Sequence, residues 1–276
     1  MLNVIAKDAR LAAQQLRGFG EPDWLSPGRA FDLPFAERAL EAARAIEGDV
    51  NVVAVAGRRK TLLVADMDST VITCECLDEL ADQAGLKPRV AAITERAMRG
   101  EIAFATALRE RVALLKGLPL DALARTYAER VRLDAGAKTL VATMKRHGAR
   151  AVLVSGGFAY FASRVAAEAG FDDFRANALL DDGRALTGTV REPVLGREAK
   201  LATLEAEAAR MGIATAEALC VGDGANDLDM IRRAGLGVAY HAKPAVAAAA
   251  PARIDCGDLR SLLYLQGYRD DEIISS

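Results

Sequence analysis

Three short apolar runs of the chain each end abruptly in polar residues and glycines. They read KTLLVADMDST (60–70), RAVLVSGGF (150–158) and ALCVGDGAND (218–227). Runs of this length are typical of parallel strands that are buried on both faces. Segments with helical spacing precede the second and the third run, at residues 137–148 and 200–212. This alternation predicts an α/β domain with a doubly wound parallel sheet.

Residues 76–133 follow a different pattern. They contain no strand-like run, and apolar positions such as Leu77, Leu80 and Ala81 recur at helical spacing. The stretch leaves the α/β domain after the first apolar run and returns before the second. We therefore predict a helical insert above the carboxyl ends of the strands, in the position of a lid.

Two further segments extend the predicted α/β domain. The run LGVAY (236–240) predicts another strand, and residues 178–190 contain two short apolar runs around Asp182 and Gly183. An Asp-Gly pair between two such runs is a common hairpin signal. We expect this hairpin to project from the sheet.

The first 59 residues are harder to interpret. A stretch rich in proline and glycine (18–35) is followed by a helical run (37–48) and a possible strand (50–57). We assign this segment no function. The predicted organisation is an N-terminal segment of residues 1–59, an α/β core of residues 60–75 and 134–276, and a helical cap of residues 76–133.

The overall composition is that of an ordinary globular protein. The chain has 276 residues, of which 51% are hydrophobic and 27% are charged, and its formal net charge is −2. This balance gives no general attraction for nucleic acid or for an anionic membrane. Any phosphate binding must therefore be local.

The cysteines and the apolar segments bear on the compartment. The four cysteines are too few and too scattered for a disulfide framework. The N-terminus lacks the features of a secretory signal, and no segment offers about 18 consecutive apolar residues. These features predict a cytoplasmic protein.

The ends of the three apolar runs should meet in one crevice, because ligands bind outside the carboxyl ends of parallel strands. Asp66 and Asp68 follow the first run, and Asp223 follows the third. Carboxylates this close together repel each other unless a cation or a shared proton compensates. An oxygen-rich site of this kind suits Mg²⁺, with Mn²⁺ as an alternative. A calcium loop is not expected, since Ala234 occupies the twelfth position of that pattern.

Groups suited to phosphate accompany the second and third runs. Ser155 and two glycines stand where a helix is expected to begin, which presents a hydroxyl and backbone N–H groups. Lys200 opens the next predicted helix and is a candidate to neutralise phosphate charge. Asn226 and Asp227 follow Asp223 closely and are candidates to orient the substrate and Lys200. Taken singly, each residue has an ordinary explanation as a cap, a turn former or a surface residue.

Together, DMDST, SGGF, Lys200 and GDGAND resemble the four motifs of the haloacid dehalogenase superfamily of phosphotransferases. The resemblance covers about residues 60–270 and implies a Rossmann-like parallel sheet core with an inserted helical cap domain. It implies that Asp66 is the nucleophile, which forms an aspartyl-phosphate, and that Asp68 is the general acid and base. By the same resemblance, Mg²⁺ is held by Asp66, by the backbone carbonyl of Asp68 and by Asp223.

The resemblance also implies how the phosphate group is held. Ser155 and Gly156 are expected to bind the phosphate oxygens, and Lys200 is expected to offset charge between phosphate and nucleophile. Asn226 is expected to contact the substrate, and Asp227 to support Lys200.

Two residues near or within the predicted insert bear on the substrate. Arg111 interrupts an apolar stripe at helical spacing formed by Phe104, Leu108 and Leu115. From the pattern alone, Arg111 forms either an internal salt bridge or a bidentate contact to a substrate carboxylate. Glu75 either stabilises the first turn of a helix through the helix dipole or pairs with a substrate ammonium group.

In superfamily members that act on phosphoserine, an equivalent Glu and Arg take the amino and carboxylate groups. The resemblance therefore implies that the substrate is O-phospho-L-serine, hydrolysed in the last step of serine biosynthesis, with Met98 and Phe104 excluding water. The alternatives are another small-metabolite phosphatase or a phosphotransferase of the same superfamily, acting on phosphohomoserine, phosphoglycolate or a sugar phosphate. Many relatives carry a ligand-binding regulatory domain at the N-terminus, and residues 1–59 look short for one.

Overall fold

The computed structural model describes residues 1–99 and 101–274. The side chain of Met98 lies outside this description, and so does its predicted contribution to the closure of the site. The N-terminal segment contains four strands and two short helices. Their bounds are β1 (Leu2–Ala6), α1 (Ala9–Gln15), β2 (Asp23–Ser26), β3 (Ala30–Leu33), α2 (Glu37–Ala43) and β4 (Gly48–Val52).

The N-terminal elements form an antiparallel sheet in the order β2-β3-β1-β4, built from a βαββαβ succession. Leu2, Val4 and Phe31 are completely buried in its core, where they meet the alanine-rich sides of α1 and α2. The N-terminal segment is therefore a compact unit with a hydrophobic core of its own.

The α/β core begins with β5 (Leu62–Ala65), and four cap helices follow it. The helices are α3 (Cys76–Gln83), α4 (Lys87–Met98), α5 (Phe104–Ala113) and α6 (Asp121–Arg130). The chain then returns to the core through α7 (Ala137–Arg146), β6 (Arg150–Phe158), α8 (Ala159–Ala169) and β7 (Asp173–Asn177).

The remaining elements complete the core. They are β8 (Leu179–Asp181), β9 (Leu186–Val190), α9 (Arg197–Met211), β10 (Ala218–Gly222), α10 (Leu228–Arg233), β11 (Leu236–Tyr240), α11 (Pro244–Ala249), β12 (Ala252–Ile254) and α12 (Ser261–Leu265). Within the described residues, no helix combines the length and the apolar character that crossing a membrane requires.

Six parallel strands form the central sheet in the order β12-β11-β10-β5-β6-β7. From β5 the chain proceeds to β6 and β7 on one side and later to β10, β11 and β12 on the other. The order therefore reverses between β5 and β10, and such a switch point opens a crevice at the carboxyl ends of the strands. The predicted Rossmann-like core is confirmed. The three apolar runs that end in polar residues and glycines are the neighbouring strands β10, β5 and β6.

The cap is tied to the core by its two connecting segments, which pair with each other. Ile72 and Leu133 lie opposite one another in an isolated antiparallel bridge. Next to it, the amide of Thr73 donates to the carbonyl of Arg132 (3.1 Å), and the amide of Asp134 donates to the carbonyl of Val71 (2.8 Å). The entry and exit of the cap therefore lie side by side.

The hairpin expected at residues 178–190 is present as the antiparallel pair β8 and β9. Strand β9 packs against the cap helix α5. At Gly188, a Cβ atom would lie 2.8 Å from the Cβ atom of Lys116, so only glycine allows this close approach. The hairpin thus supports the cap from below.

The N-terminal unit is joined to the core along the edge of the central sheet. The side-chain amide of Asn51 in β4 exchanges two 2.9 Å hydrogen bonds with the backbone of Arg253 in β12. The Asp49 carboxylate accepts from the backbone amides of residues 255–257. These side chains cover polar backbone groups that an edge strand otherwise exposes.

Candidate active site

Asp66 is the first residue after β5, and its position is fixed by the neighbouring strand. Its amide donates to the carbonyl of Val221 in β10 (3.0 Å), and its Oδ1 atom accepts from the amide of Met67 (2.8 Å). The side chain is almost completely buried. Asp66 therefore presents a carboxylate at the switch point of the sheet, as the sequence predicted.

Lys200 reaches this carboxylate from the first turn of α9. Its Nζ atom lies 2.7 Å from Oδ1 of Asp66 and 2.5 Å from Oδ1 of Asp227. Burial by itself lowers the pKa of Lys200, but the charges of Asp66 and Asp227 outweigh this and raise it. Burial and the charge of Asp227 raise the pKa of Asp66, and Lys200 opposes them. Lys200 is therefore a fixed positive charge beside a carboxylate that is costly to ionise.

Asp68 lies in the turn that follows, where the backbone reverses so that the amide of Ile72 donates to the carbonyl of Met67. Its Oδ1 atom accepts from the amide of Cys76 (2.9 Å), and its Oδ2 atom accepts from the Ser155 hydroxyl (3.0 Å). Burial raises the pKa of Asp68, and these hydrogen bonds lower it. A carboxyl group whose pKa is raised is a better proton donor candidate than an ordinary surface carboxylate.

Asp223 follows β10 and completes an acidic cluster. Carboxylate oxygens of Asp66, Asp223 and Asp227 all lie within 4.8 Å of one another. Burial and the charge of Asp227 raise the pKa of Asp223 to about 6. Among the described residues, four carboxylates, counting that of Asp68, share this crevice with the ammonium group of Lys200. The donor set fits a hard divalent cation, which would supply the missing positive charge.

The carboxylate cluster contains Asp227 and not the side chain of Asp68. Asp227 is completely buried and already engaged, since Oδ1 accepts from Lys200 and Oδ2 accepts from the amide of Gly224 (2.9 Å). Asp66 and Asp223 are therefore the carboxylates that remain available to a cation. Asn226 lies half-buried in the same short turn as Asp227.

The loop after the apolar part of β6 brings a hydroxyl and glycines to Asp68. The amide of Gly157 donates to the Ser155 oxygen (2.8 Å), and a Cβ atom on Gly157 would lie 2.8 Å from Oδ2 of Asp68. A Cβ atom on Gly156 would lie 3.2 Å from the ring of Phe104 in the cap. The glycines keep the loop clear for a ligand between the core and the cap.

Glu75 lies close enough to Asp68, and Arg111 of the cap close enough to Glu75, for the members of each pair to interact electrostatically. The Ser69 hydroxyl donates to Oε1 of Glu75 (2.7 Å). Desolvation and the charge of Asp68 raise the pKa of Glu75 to about 7, against the hydrogen bond from Ser69. Ser69 itself has a left-handed backbone (φ 54°), which is a strained conformation for serine and typical of functional turns.

Arg111 is half-buried in α5. Its guanidinium donates to the carbonyl of Ala107 (3.3 Å) and to the Thr94 hydroxyl (3.4 Å). Burial lowers its pKa, while the charges of Asp78 and Glu75 raise it. Within the described part of the chain it has no carboxylate within 4 Å, so the internal salt bridge is not what the structure shows. The guanidinium is free to receive an anion.

Comparison with known proteins identifies the family. Residues 63–232 match the sequence model of a family described as haloacid dehalogenase-like hydrolase. The chain belongs to this family.

Curated relatives narrow the position of this haloacid dehalogenase-like hydrolase within its family. A phosphoserine phosphatase of Polaromonas is 46% identical over 209 residues, which cover 74% of this chain and 89% of the relative. A phosphoserine phosphatase of Archaeoglobus fulgidus is 47% identical over 186 residues, which cover 67% of this chain and 54% of the relative. The chain spans only about half the length of that second protein.

A solved structure extends the likeness to the N-terminal unit. The unliganded probable phosphoserine phosphatase of Vibrio cholerae is 32% identical, with a TM-score of 0.81, and the match covers 96% of this chain and 86% of that one. The match therefore includes most of the described fold of this haloacid dehalogenase-like hydrolase, beyond the segment that the family model covers.

Three residues of the site escaped the analysis of the sequence. The Thr70 hydroxyl donates to Oδ1 of Asp223 (3.3 Å), Ser69 holds Glu75, and the Asn177 amide donates to the carbonyl of Gly156 (2.9 Å). Ser69 and Thr70 are the last two residues of the DMDST motif, so their position as polar residues after a predicted strand was a signal that could have identified them. Asn177 carries no such signal, since it ends an edge strand far along the chain.

Proposed function

We propose that this protein hydrolyses O-phospho-L-serine to L-serine and phosphate. The observation that carries the proposal is the carboxylate of Asp66, which is ion-paired with Lys200 and stands close to the proton-transfer candidate Asp68. Glu75 and Arg111 add one negative and one positive side chain near the cap. The relatives named phosphoserine phosphatase support this choice of substrate.

Asp66 is the proposed nucleophile. A carboxylate oxygen of Asp66 attacks phosphorus, the bond from phosphorus to the serine oxygen breaks, and an aspartyl-phosphate forms. The Nζ atom of Lys200 lies 2.7 Å from Oδ1 of Asp66, and its positive charge offsets the repulsion between this carboxylate and the phosphate. The acyl-phosphate is reactive enough to be hydrolysed in a second step, so one slow displacement is divided into two faster ones.

Asp68 is the proposed general acid and base. Its raised pKa favours the protonated form in which it donates a proton to the departing serine oxygen. The resulting carboxylate then takes a proton from the water that attacks phosphorus, and Asp66 is regenerated as phosphate leaves. Before the substrate binds, the Ser155 hydroxyl and the Cys76 amide hold the two oxygens of Asp68 in position.

The phosphate oxygens are proposed to bind at the mouth of the crevice. Ser155 and the backbone amide of Gly156 line one side, and Lys200 and Asn226 line the other. Asn177 fixes the glycine loop through the carbonyl of Gly156. Asp227 keeps the Lys200 ammonium in place from the far side.

The cation is proposed to be Mg²⁺, held by Asp66, by the backbone carbonyl of Asp68 and by Asp223. When bound, it supplies positive charge for the phosphate and for the crowded carboxylates. The raised pKa of Asp223 is consistent with this assignment, because an acid that resists ionisation alone gains most from a neighbouring cation. Thr70 holds Asp223 toward the crevice.

Glu75 and Arg111 are proposed to select the substrate. The carboxylate of Glu75 would pair with the ammonium group of phosphoserine, and the guanidinium of Arg111 with its carboxylate. Phe104 contacts the glycine loop from the cap and would exclude water behind the substrate. A zwitterionic amino acid satisfies both charges, whereas a sugar phosphate satisfies neither.

The reaction would serve as the last step of serine biosynthesis, and we propose the cytoplasm as its compartment. Among the described residues, all four cysteines are free thiols, which suits a reducing compartment.

The test is phosphate release from a panel of small phosphomonoesters, measured with Mg²⁺ and with a chelator. The panel contains L-phosphoserine, phosphohomoserine, phosphoglycolate and a sugar phosphate. The expected result is turnover that depends on Mg²⁺ and is fastest for L-phosphoserine. A clear preference for another ester would overturn the roles of Glu75 and Arg111 and leave that of Asp66 intact.

A further inference from the structure

A separate cavity lies where the N-terminal unit meets the core, and none of its lining residues belongs to the candidate active site. Its volume is about 270 Å³. At roughly 30 Å³ per water, this is space for about nine waters or a small metabolite. It is lined by Ser26, Arg29, Thr139, Arg260, Tyr264, Asp270, Ile273 and Ile274.

The cavity contains two arginines from different parts of the fold. Arg29 lies in the turn between β2 and β3, and Arg260 directly precedes α12. Within residues 1–99 and 101–274, neither guanidinium has a carboxylate within 4 Å. Other arginines at this junction are paired, namely Arg58 with Asp32, Arg59 with Glu272 and Arg269 with Asp23.

Arg260 has a second unusual feature. Its Nε atom is buried and has no hydrogen-bond acceptor among the described residues. A buried N–H group without an acceptor costs free energy, so native structures rarely leave one unmatched. Among the described residues, the guanidinium of Arg260 is therefore left with an unmatched donor beside the cavity.

The one carboxylate of the cavity does not neutralise these arginines. Asp270 accepts from the Ser26 hydroxyl at Oδ2 (2.8 Å) and from the Tyr264 hydroxyl at Oδ1 (2.9 Å). Among the described residues, the lining contains two guanidinium groups and one carboxylate, which is a net positive charge.

We propose that this cavity binds a small oxyanion, a carboxylate or a phosphate, between Arg29 and Arg260. Guanidinium groups recognise both kinds of oxyanion through paired N–H donors. Since Arg29 belongs to the N-terminal unit and Arg260 to the core, the bound anion bridges the two. Binding would therefore stabilise the folded chain and hold the N-terminal unit against the core.

The experiment measures thermal unfolding of the full chain, without divalent cations, as sodium phosphate or sodium acetate is added. Sodium chloride at equal ionic strength is the reference. The expected result is a saturable rise in Tm with at least one of the two anions, and the anion that acts identifies the class of ligand. Arg260→Gln and Arg29→Gln should each weaken the binding roughly tenfold, the usual effect of losing a charge-assisted hydrogen bond.

Two control variants separate this cavity from other anion sites. Arg10→Gln removes an exposed arginine on α1 and should leave the effect unchanged. Ser155→Ala weakens phosphate binding in the candidate active site, so the part of the effect that persists in this variant is assigned to the cavity. The proposal is overturned if Ser155→Ala shows no saturable effect, or if the effect that persists in Ser155→Ala also survives when Arg260→Gln or Arg29→Gln is added. Because Arg29 is exposed, its variant tests the proposal even if Arg260→Gln fails to fold.

Discussion

Lys200 forms a buried ion pair with Asp66, with 2.7 Å between Nζ and Oδ1 and side-chain exposures of only 2% and 8%. The Nζ atom of Lys200 also pairs with the carboxylate of Asp227, which is completely buried. This arrangement fixes a positive charge at the proposed nucleophile before any substrate binds. Such preorganisation is a main source of stabilisation in phosphoryl transfer.

The first prediction concerns the nucleophile itself. Asp66→Asn keeps the shape of the side chain but removes the attacking carboxylate, so turnover of phosphoserine should fall by at least about 10³-fold. Circular dichroism should show a folded protein. Asp121→Asn, at an exposed position of the cap, should retain full activity. Near-normal activity of Asp66→Asn would refute the proposed mechanism.

The second prediction concerns the stability of the buried ion pair. Lys200→Met leaves Asp66 and Asp227 without their cation, so the free energy of unfolding at neutral pH should fall by about 3–5 kcal/mol. Urea denaturation measures this loss. In Lys200→Met combined with Asp227→Asn, the total loss should be smaller than the sum of the single losses, because one unpaired charge is gone. Additive losses would show that the two residues do not interact as the structure indicates.

The third prediction concerns substrate recognition by Arg111. Arg111→Ala should raise KM for phosphoserine by roughly tenfold to a hundredfold, because a charge-assisted contact to the substrate carboxylate is lost. Hydrolysis of p-nitrophenyl phosphate, which has no carboxylate, should change little. Arg125→Ala, an exposed arginine on α6, is the matched control. Equal losses on the two substrates would mean that Arg111 acts through the folding of the cap.

The fourth prediction follows from the pKa of Glu75, which is raised to about 7. Below that pH, Glu75 is protonated and loses the charge that pairs with the substrate ammonium. The ratio of kcat/KM for wild type over Glu75→Gln should therefore increase with pH and level off above about pH 7. A ratio that is independent of pH would argue against an ionised Glu75 in the complex.

The same shift has a consequence for the free protein. A folded-state pKa above the unfolded value means that the protonated form of Glu75 is favoured by folding. Its contribution to stability is present below the ordinary pKa of 4.5 and is lost as the pH rises through about 7. Glu75→Gln should therefore gain stability relative to wild type over this interval, as urea denaturation without metal would measure.

The fifth prediction concerns the cation. Mg²⁺ should raise the Tm of the metal-free protein, because it binds the folded crevice and not the unfolded chain. Asp223→Asn should need at least about tenfold more Mg²⁺ for half-maximal activity and should show a smaller Tm shift. Asp229→Asn removes a nearby carboxylate that is paired with Arg197 outside the crevice, and it should behave as wild type. If Asp223→Asn and Asp229→Asn depended on Mg²⁺ in the same way, Asp223 would not be a metal ligand.

The sequence was most informative where strands are buried on both faces. The runs that became β5, β6 and β10 contain continuous apolar residues and end in the site, so both the sheet and the convergence of Asp66, Ser155 and Asp223 were predictable. The edge strands β7 and β12 were not recognised, because DFRAN is largely polar and ARI has only three residues. Their strand conformation depends on pairing with neighbours.

The N-terminal unit was predicted in part, since the helix and the strand expected over residues 37–48 and 50–57 overlap α2 and β4. The rest of it was missed for a related reason. Its buried polar residues interrupt the apolar pattern and are explained only by distant partners. Asn3 in β1 donates to the Asp32 carboxylate (2.8 Å), which also binds Arg58. In the same way, the contact from Thr70 to Asp223 joins residues 153 positions apart. Such tertiary hydrogen bonds leave no periodic signal in a sequence.

The most direct test of the account is to trap the intermediate. The protein is mixed with L-phosphoserine that carries a ³²P-labelled phosphate, quenched in acid after a fraction of a turnover, digested and mapped. The account predicts label on the peptide containing Asp66, in a bond that alkali cleaves readily, and no label in Asp66→Asn. Label on another side chain, such as the Ser155 hydroxyl, would contradict it.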